Sequence, residues 1–193
     1  MIVKRVSFFT VVVLMIFMGL KVNGKEDESP VYTQYVAEVT SSFLKEMYKE
    51  YGFECGASGG RMPYDVEEIS VSLVACQSAT IEQAREIEIK TTERLVQIIN
   101  AHEKIKPYLR ERPFPSGRAR VSIAFEKQRQ KGMHSVDNNV VYVLQAKNRI
   151  YYQAENPDNP YVYKDIKDES YEEALKIVQS NAAKNASQQS KNL

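Results

Sequence analysis

The sequence predicts an α+β fold, in which an antiparallel sheet of four to five strands packs against a long central helix, with flanking N- and C-terminal helices. Three observations favour this fold. Apolar residues recur every three to four positions in residues 31–51 and 81–105, as in amphipathic helices. Apolar and polar residues alternate in residues 66–76 and 121–125, as in strands with one buried face. Short connections after residue 119 favour antiparallel pairing, and helical cover on one face gives two layers.

The composition is that of one ordinary domain. The chain has 193 residues, of which 43% are hydrophobic and 26% charged, and its formal net charge is +1. Such a small charge gives no long-range attraction for polyanions, so we expect no nucleic-acid partner. Two cysteines and two histidines are too few for a disulfide-rich scaffold or a Cys/His zinc module. The sequence predicts neither a metal site nor a cofactor.

The first residues have the layout of a secretory signal peptide. Lys4 and Arg5 precede an apolar run over residues 6–20, and a small-residue ending precedes a polar linker over residues 25–30. As a helix this run would span about 22 Å, which is short of the ~30 Å hydrocarbon core of a bilayer. We therefore predict a cleaved signal peptide over residues 1–24 and a periplasmic or secreted protein. An uncleaved leader would instead anchor the protein in the membrane through residues 6–20.

The rest of the chain is predicted to form a single domain over residues 31–179. Gly52 ends the first helix as a left-handed cap. Three glycines and a proline in residues 55–63 predict a loop before the first strand, which covers residues 66–76. From residue 180 to residue 193 the composition is reduced to small and polar residues, so a disordered tail is expected.

The long helix is the clearest element. Thr80 and Gln83 form a capping box at its start, and Pro107 follows its end. The side of the helix that carries Arg85 and Glu93 is expected to face solvent. A polar loop over residues 126–139, a hairpin turn at Lys147 and Asn148, and a second capping box at Ser170 and Glu173 are also predicted, with strands at residues 121–125, 140–146, 150–154 and 161–164.

The order of a strand, a long helix and a strand meander is similar to the cystatin-like arrangement. The part from the long helix onward also resembles the double-stranded-RNA-binding order of helix, three strands and helix. The sequence lacks the Gln-x-Val-x-Gly hairpin that carries cystatin inhibition, and RNA binding would need a basic face and access to RNA. Because of the similar element order, a protease-inhibitor-like module is kept as one alternative function.

The two cysteines have two interpretations. Outside the cytosol a matched pair tends to oxidise, so Cys55 and Cys76 are a candidate disulfide that would stabilise the fold by about 3 kcal/mol. In the other interpretation, Cys76 is a small buried hydrophobic residue and Cys55 is a loop thiol. The sequence leaves both open, because it supplies no geometry.

A catalytic function is the second alternative. A small extracytoplasmic hydrolase or transferase would use Cys55 or Ser58 as its nucleophile and His102 as its base. His102 lies on the apolar stripe of the long helix, which favours a structural role. The glycines of residues 55–61, together with Arg61, could hold an anion, but the Gly-Lys-Ser/Thr ending of a nucleotide-binding loop is absent from this segment.

The function that the sequence favours is a non-catalytic extracytoplasmic domain that binds another protein or an envelope component. Two surfaces are candidates, namely the polar loop and the tyrosine-bearing strands. Tyrosine is favoured in interfaces because it buries a large area and still satisfies its hydroxyl group. The candidate binding residues are Lys127, Arg129 and Lys131 on the loop and Tyr151, Tyr161 and Tyr163 near the strands.

Overall fold

The structure, a computed structural model, describes residues 29–126, 140–159 and 161–189. The predicted signal peptide and residues 127–139 of the polar loop lie outside the described residues. None of the helices in the described ranges has the length and apolar content needed to cross a membrane. The helices are α1 (Val31–Tyr51), α2 (Ile81–Ala101) and α3 (Tyr171–Gln189), and the strands are β1 (Glu54–Arg61), β2 (Glu68–Ala75), β3 (Ala119–Phe125), β4 (Tyr142–Ala146), β5 (Arg149–Glu155) and β6 (Tyr163–Ser170).

The six strands form one mixed sheet in chain order, from β1 at one edge to β6 at the other. β2 and β3 are parallel, and all other neighbours are antiparallel. The predicted α+β architecture with a long helix on the sheet is confirmed. The sheet has six strands rather than four to five, and it is not purely antiparallel. The parallel pair arises because α2 crosses one face between β2 and β3, so both strands run in the same direction.

One face of the sheet is covered by helices. α1 packs on β1 and β2, α2 on β3 and β4, and α3 on β5 and β6, while α2 also contacts the other two helices. Alternate strand residues, such as Ile69, Val71 and Leu73 on β2, are buried under this layer. Leu95 and Ile99 of α2 are fully buried in the same hydrophobic core. Burial of these apolar side chains is the main favourable contribution to folding.

β1 is a strand where the sequence predicted a loop. It pairs antiparallel with β2, and almost all of its residues are exposed. Its glycines do not serve a turn. At Gly60 a Cβ atom would overlap the carbonyl oxygen of Glu68, so glycine permits close approach of the two strands. Gly52 does form the predicted cap, with φ of 70° and a hydrogen bond from its N–H to the carbonyl of Tyr48.

The two predicted capping boxes are confirmed. Thr80 and Gln83 bond reciprocally at the start of α2. Ser170 and Glu173 do the same at the start of α3, where the Ser170 hydroxyl donates to the Glu173 carboxylate at 2.8 Å and accepts from the Glu173 N–H. α3 continues to Gln189, so residues 180–189 are helical rather than disordered. Alanine, lysine and glutamine are good helix formers, and they extend the helix although this part is exposed.

The turn between β4 and β5 is also as predicted. Lys147 and Asn148 both have positive φ, 52° and 60°, which matches the twist of the flanking strands. β6 begins at Tyr163 and runs to Ser170, and is therefore longer than the predicted strand over residues 161–164. The following helix begins at the next residue, Tyr171, without a connecting loop.

Candidate functional site

Among the residues that the structure describes, no helix packs on the second face of the sheet. In the middle of β1 to β3 the side chains on this uncovered face are small, whereas Arg61, Glu68 and Arg120 form a charged end. Ser72 Oγ and Ser122 Oγ lie 2.8 Å apart and share a hydrogen bond between the parallel strands. The small residues at the centre of this half are Ala57, Gly59, Ser70, Ser72, Ser122 and Ala124.

Over β4 to β6 the uncovered face carries tyrosines instead. Tyr142 and Leu144 are half-exposed on this face, while Val143 between them is buried under the helices. Tyr151 lies opposite Leu144 in the antiparallel register and therefore shares the face. The rings of Tyr142 and Tyr163 stack, with centroids 5.9 Å apart and an interplanar angle of 23°. This half of the face is therefore aromatic.

The aromatic half continues into the connection between β5 and β6. Tyr161 is 94% exposed, Val162 54% and Tyr163 52%, so three consecutive large apolar side chains face solvent. Contiguous exposed apolar groups of this kind typically mark an interaction surface. We call this surface the tyrosine patch, and it comprises Tyr142, Tyr151, Tyr161, Val162 and Tyr163.

Charged and polar side chains of both signs surround the tyrosine patch. Arg149 forms an ion pair with Asp168, and this hydrogen bond raises the pKa of Arg149. The Gln153 side-chain amide donates to Asp165 Oδ1 at 2.7 Å. The patch therefore has an aromatic centre and a polar rim without a dominant sign of charge.

The structure brings the predicted tyrosines together in this patch. Tyr151 and Tyr163 share the uncovered face, and Tyr161 lies beside them in the β5–β6 connection. Tyr142 was missed, although strict alternation along residues 140–146 would have placed it opposite in direction to Val143. The other predicted binding residues, Lys127, Arg129 and Lys131, lie outside the described residues, so their role stays a prediction.

The candidate disulfide is not present in the structure. Cys55 and Cys76 are both free and exposed, so the interpretation of Cys76 as a buried residue is also wrong. Cys55 lies opposite Leu73, which is three positions before Cys76 along the same chain direction. β2 ends at Ala75, two positions beyond Leu73, so Cys76 lies after the end of the strand rather than opposite Cys55.

The candidate catalytic residues do not form a site. Cys55 and Ser58 lie on the edge strand β1. His102 ends α2, where its Nδ1 accepts from the Ile105 N–H at 3.3 Å. Its other ring nitrogen, Nε2, must then carry the proton, which it donates to the Glu38 carboxylate at 3.1 Å. Both nitrogens are engaged, so the arrangement does not support His102 as the base for a thiol or hydroxyl.

A buried polar cluster lies between α2 and β5–β6, and the sequence analysis missed it. Arg85 Nε donates to Glu169 Oε1 at 2.6 Å, and both side chains are less than a tenth exposed. Tyr152, fully buried, donates its hydroxyl to the same carboxylate at 2.5 Å. Burial alone would raise the pKa of Glu169, but the hydrogen bonds from Arg85 and Tyr152 outweigh it and lower the pKa. Arg85 therefore faces the core rather than solvent.

Glu88 lies one helical turn after Arg85 and has no exposed surface. Neither carboxyl oxygen has a hydrogen-bond partner among the described residues. Burial raises the pKa of Glu88 well above its usual value, because the low-polarity surroundings favour the neutral carboxyl over the charged carboxylate. The buried face of α2 follows helical spacing over positions 84, 85, 88, 91, 92 and 95. This spacing predicts that Arg85 and Glu88 are buried, but their charges favoured the opposite prediction.

A surface cavity of about 550 Å³ lies at the start of α3. Its polar lining is already engaged within the protein. Arg118 pairs with Glu111, and Ser170 belongs to the capping box of α3. Gly117 and Asn148 are in close contact across it. The cavity therefore presents no free set of converging polar groups.

The described part of the chain contains no group of three His, Cys, Asp or Glu side chains that could hold a metal ion. Comparisons with protein-family models, with curated proteins and with solved structures found no significant match. Function must therefore be argued from the surfaces and clusters of this chain itself.

Proposed function

We propose that this chain is a non-catalytic binding domain that binds another protein through the tyrosine patch. The observation that carries this proposal is the run of three consecutive exposed side chains at residues 161–163, beside the stacked rings of Tyr142 and Tyr163. Covering them would remove a contiguous apolar area from water, which favours association.

The chemistry of the patch favours a protein partner over a polyanion. Tyrosine contributes a large rigid contact area at a low cost in side-chain entropy, and its hydroxyl can still bond at the rim of an interface. The surrounding charges include Arg149 as well as Asp165 and Asp168. A nucleic acid would instead require a surface of one, positive sign.

The predicted signal peptide indicates the compartment in which the protein meets its partner. We propose that the protein is exported and that its partner is a periplasmic, secreted or envelope protein, because the first residues combine a basic start, an apolar run and a small-residue ending. N-terminal sequencing of the exported protein tests this part, and a product that begins at residue 25 is expected. The full-length chain dissolved in the cytoplasm would contradict it.

Photo-crosslinking in the producing cell tests the patch itself. A photoreactive p-benzoylphenylalanine replaces Tyr161 in one variant and Tyr64 in a matched control. Tyr64 is 89% exposed and lies in the connection between β1 and β2, away from β4–β6. We expect a discrete crosslinked protein adduct from position 161 that position 64 does not give.

A second variant links the adduct to the tyrosines. Tyr163→Ser in the Tyr161 crosslinking variant should reduce the yield of the adduct severalfold, because it removes the stacked ring. Tyr48→Ser, at another exposed tyrosine, should leave the yield unchanged. Identical adducts from positions 161 and 64, or no adduct from either, would show that the patch is not a binding surface.

A further inference from the structure

We propose that β1 is the contact between two copies of this chain, in which the two β1 strands pair antiparallel across a two-fold axis. β1 is the terminal strand of the sheet and, within the described residues, pairs with β2 alone. An edge strand presents a row of backbone N–H and C=O groups on its outer side. Because nearly every residue of β1 is exposed, these groups are accessible to a second strand.

The side chains of β1 do not obstruct such pairing. Between Glu54 and Arg61 the strand contains only cysteine, glycine, alanine and serine, with no charge and no proline. Charged residues, proline, inward-pointing lysine and bulges are the usual means by which a protein protects an edge strand. β1 has a bulge between Cys55 and Ala57, but the stretch from Ala57 to Gly60 has none of these features, so two copies can approach there to backbone hydrogen-bonding distance.

The fold does not explain every glycine of β1. At Gly60 a Cβ atom would overlap the backbone of β2, so this glycine is needed within the sheet. At Gly59 a Cβ atom would come no closer than 3.8 Å to Ser70 Oγ, and the backbone is not in the left-handed region. Glycine weakens a strand interior and often marks the place where another backbone comes close. A second β1 strand provides that backbone.

The ends of β1 are complementary to each other, which favours a second copy over an unrelated peptide. A bulge between Cys55 and Ala57 places Glu54 and Arg61 six paired positions apart, on the same face of the sheet. Two β1 strands that pair antiparallel about Ser58 therefore bring Glu54 of each copy opposite Arg61 of the other. Opposite charges that face each other across strands stabilise the pair.

The charges at both ends are available for this contact. Glu54 is exposed and forms no ion pair within the described part of the chain. Arg61 uses Nε to bond Glu67 at 2.5 Å, but its side chain is 59% exposed. A guanidinium group has five N–H donors, so it can bond a second carboxylate.

Crosslinking at the two-fold axis tests the pairing and its register. Ser58→Cys is introduced together with Cys55→Ser and Cys76→Ser, so that residue 58 is the only thiol. Directly opposed residues of an antiparallel pair have Cα atoms about 4.5 to 5.5 Å apart, which suits a disulfide. Mild oxidation should give a disulfide-linked dimer in high yield. The matched control, Lys164→Cys on the opposite edge β6, should give little.

Sedimentation velocity measures the association without a crosslink. The purified protein should show a monomer–dimer equilibrium that depends on concentration. Glu54→Arg places like charges opposite each other at both ends and should weaken the dimer about tenfold. An equimolar mixture of the Glu54→Arg and Arg61→Glu chains should recover the dimer, because every facing pair is then complementary.

Three results would overturn the proposal. One is a purified protein that remains monomeric at all concentrations. Another is equal crosslinking from residues 58 and 164. The third is a dimer that Glu54→Arg leaves unchanged, which would place the contact elsewhere. Because β1 and the tyrosine patch lie at opposite edges of the sheet, each proposal can fail without the other.

Discussion

The two edges of the sheet are constructed in opposite ways. β6 carries Lys164, Asp165, Lys167 and Asp168, and its next residue, Glu169, is bonded to Arg85 of α2 beneath the sheet. β1 has no charged side chain between its ends, and small residues fill its interior. Charged side chains on an edge strand discourage pairing with another chain. The charged side chains of β6 therefore disfavour pairing with a second chain, whereas the small residues of β1 do not.

The largest effect is expected from removing the Glu169–Arg85 ion pair, which links β6 to α2. Glu169→Leu should lower the free energy of unfolding by about 3–5 kcal/mol, because Arg85 would remain buried without its partner. Urea denaturation followed by circular dichroism measures this. As a control, Lys176→Ala breaks an exposed pair with Glu172 and should leave the same quantity almost unchanged. Equal effects of the two substitutions would mean that the buried pair does not attach β6.

The second effect concerns Glu88, which lies near Tyr152 behind the β5–β6 half of the sheet. Because its pKa is raised, folding takes up a proton above pH about 4.5. Its contribution is therefore most favourable below that pH and is lost as pH rises toward the folded pKa, at up to about 1.4 kcal/mol per pH unit. Glu88→Gln should remove this slope and raise stability at pH 7. Unfolding free energies measured from pH 5 to pH 8 test it, and parallel curves for the two proteins would contradict it.

Glu169 contributes with the opposite sign, and this separates the two carboxyl groups. Its pKa is lowered in the folded protein, so its contribution is present above pH about 4.5 and is lost as pH falls through the folded pKa. The Glu88→Gln protein should therefore still lose stability in acid. The change in unfolding free energy above pH about 4.5 therefore reports on Glu88, and the change below that pH reports on Glu169.

The smallest effect compares neighbouring glycines of β1. Gly60→Ala should destabilise the protein by about 1–3 kcal/mol, since the new Cβ would overlap the Glu68 carbonyl oxygen. At Gly59 the new Cβ would meet Ser70 Oγ at an ordinary van der Waals distance of 3.8 Å, so Gly59→Ala should be neutral or stabilising by about 0.5 kcal/mol. Thermal unfolding of both variants, each monitored at a concentration where the wild-type protein is monomeric, measures the difference. Equal losses would show that β1 is not held against β2 as described.

Local sequence signals predicted much of the fold. The capping boxes at Thr80 and Ser170, the cap at Gly52 and the turn at Lys147 and Asn148 depend on residues within a few positions of each other. Such contacts form in the same way whatever the rest of the chain does. The helical spacing of α1 and α2 was predictable for the same reason.

The failures concern contacts between distant parts of the chain. Glycines are turn signals, so β1 was predicted as a loop, and only its pairing with β2 makes it a strand. Arg85 was expected in solvent because charges usually are, and its partner Glu169 lies 84 positions away. The tyrosine patch was predicted in part, because Tyr151 and Tyr163 share a face only through the register of β4 to β6 and the irregularity at Tyr152 and Gln153.

The direct passage from β6 into α3 couples two ends of the molecule mechanically. Ser170 is both the last residue of β6 and the cap of α3, so no loop residue separates the strand from the helix. The exposed outer turns of α3 extend to Gln189. A tether or load applied near the C-terminus would therefore be transmitted along β6 to Tyr163, at the far end of the same strand.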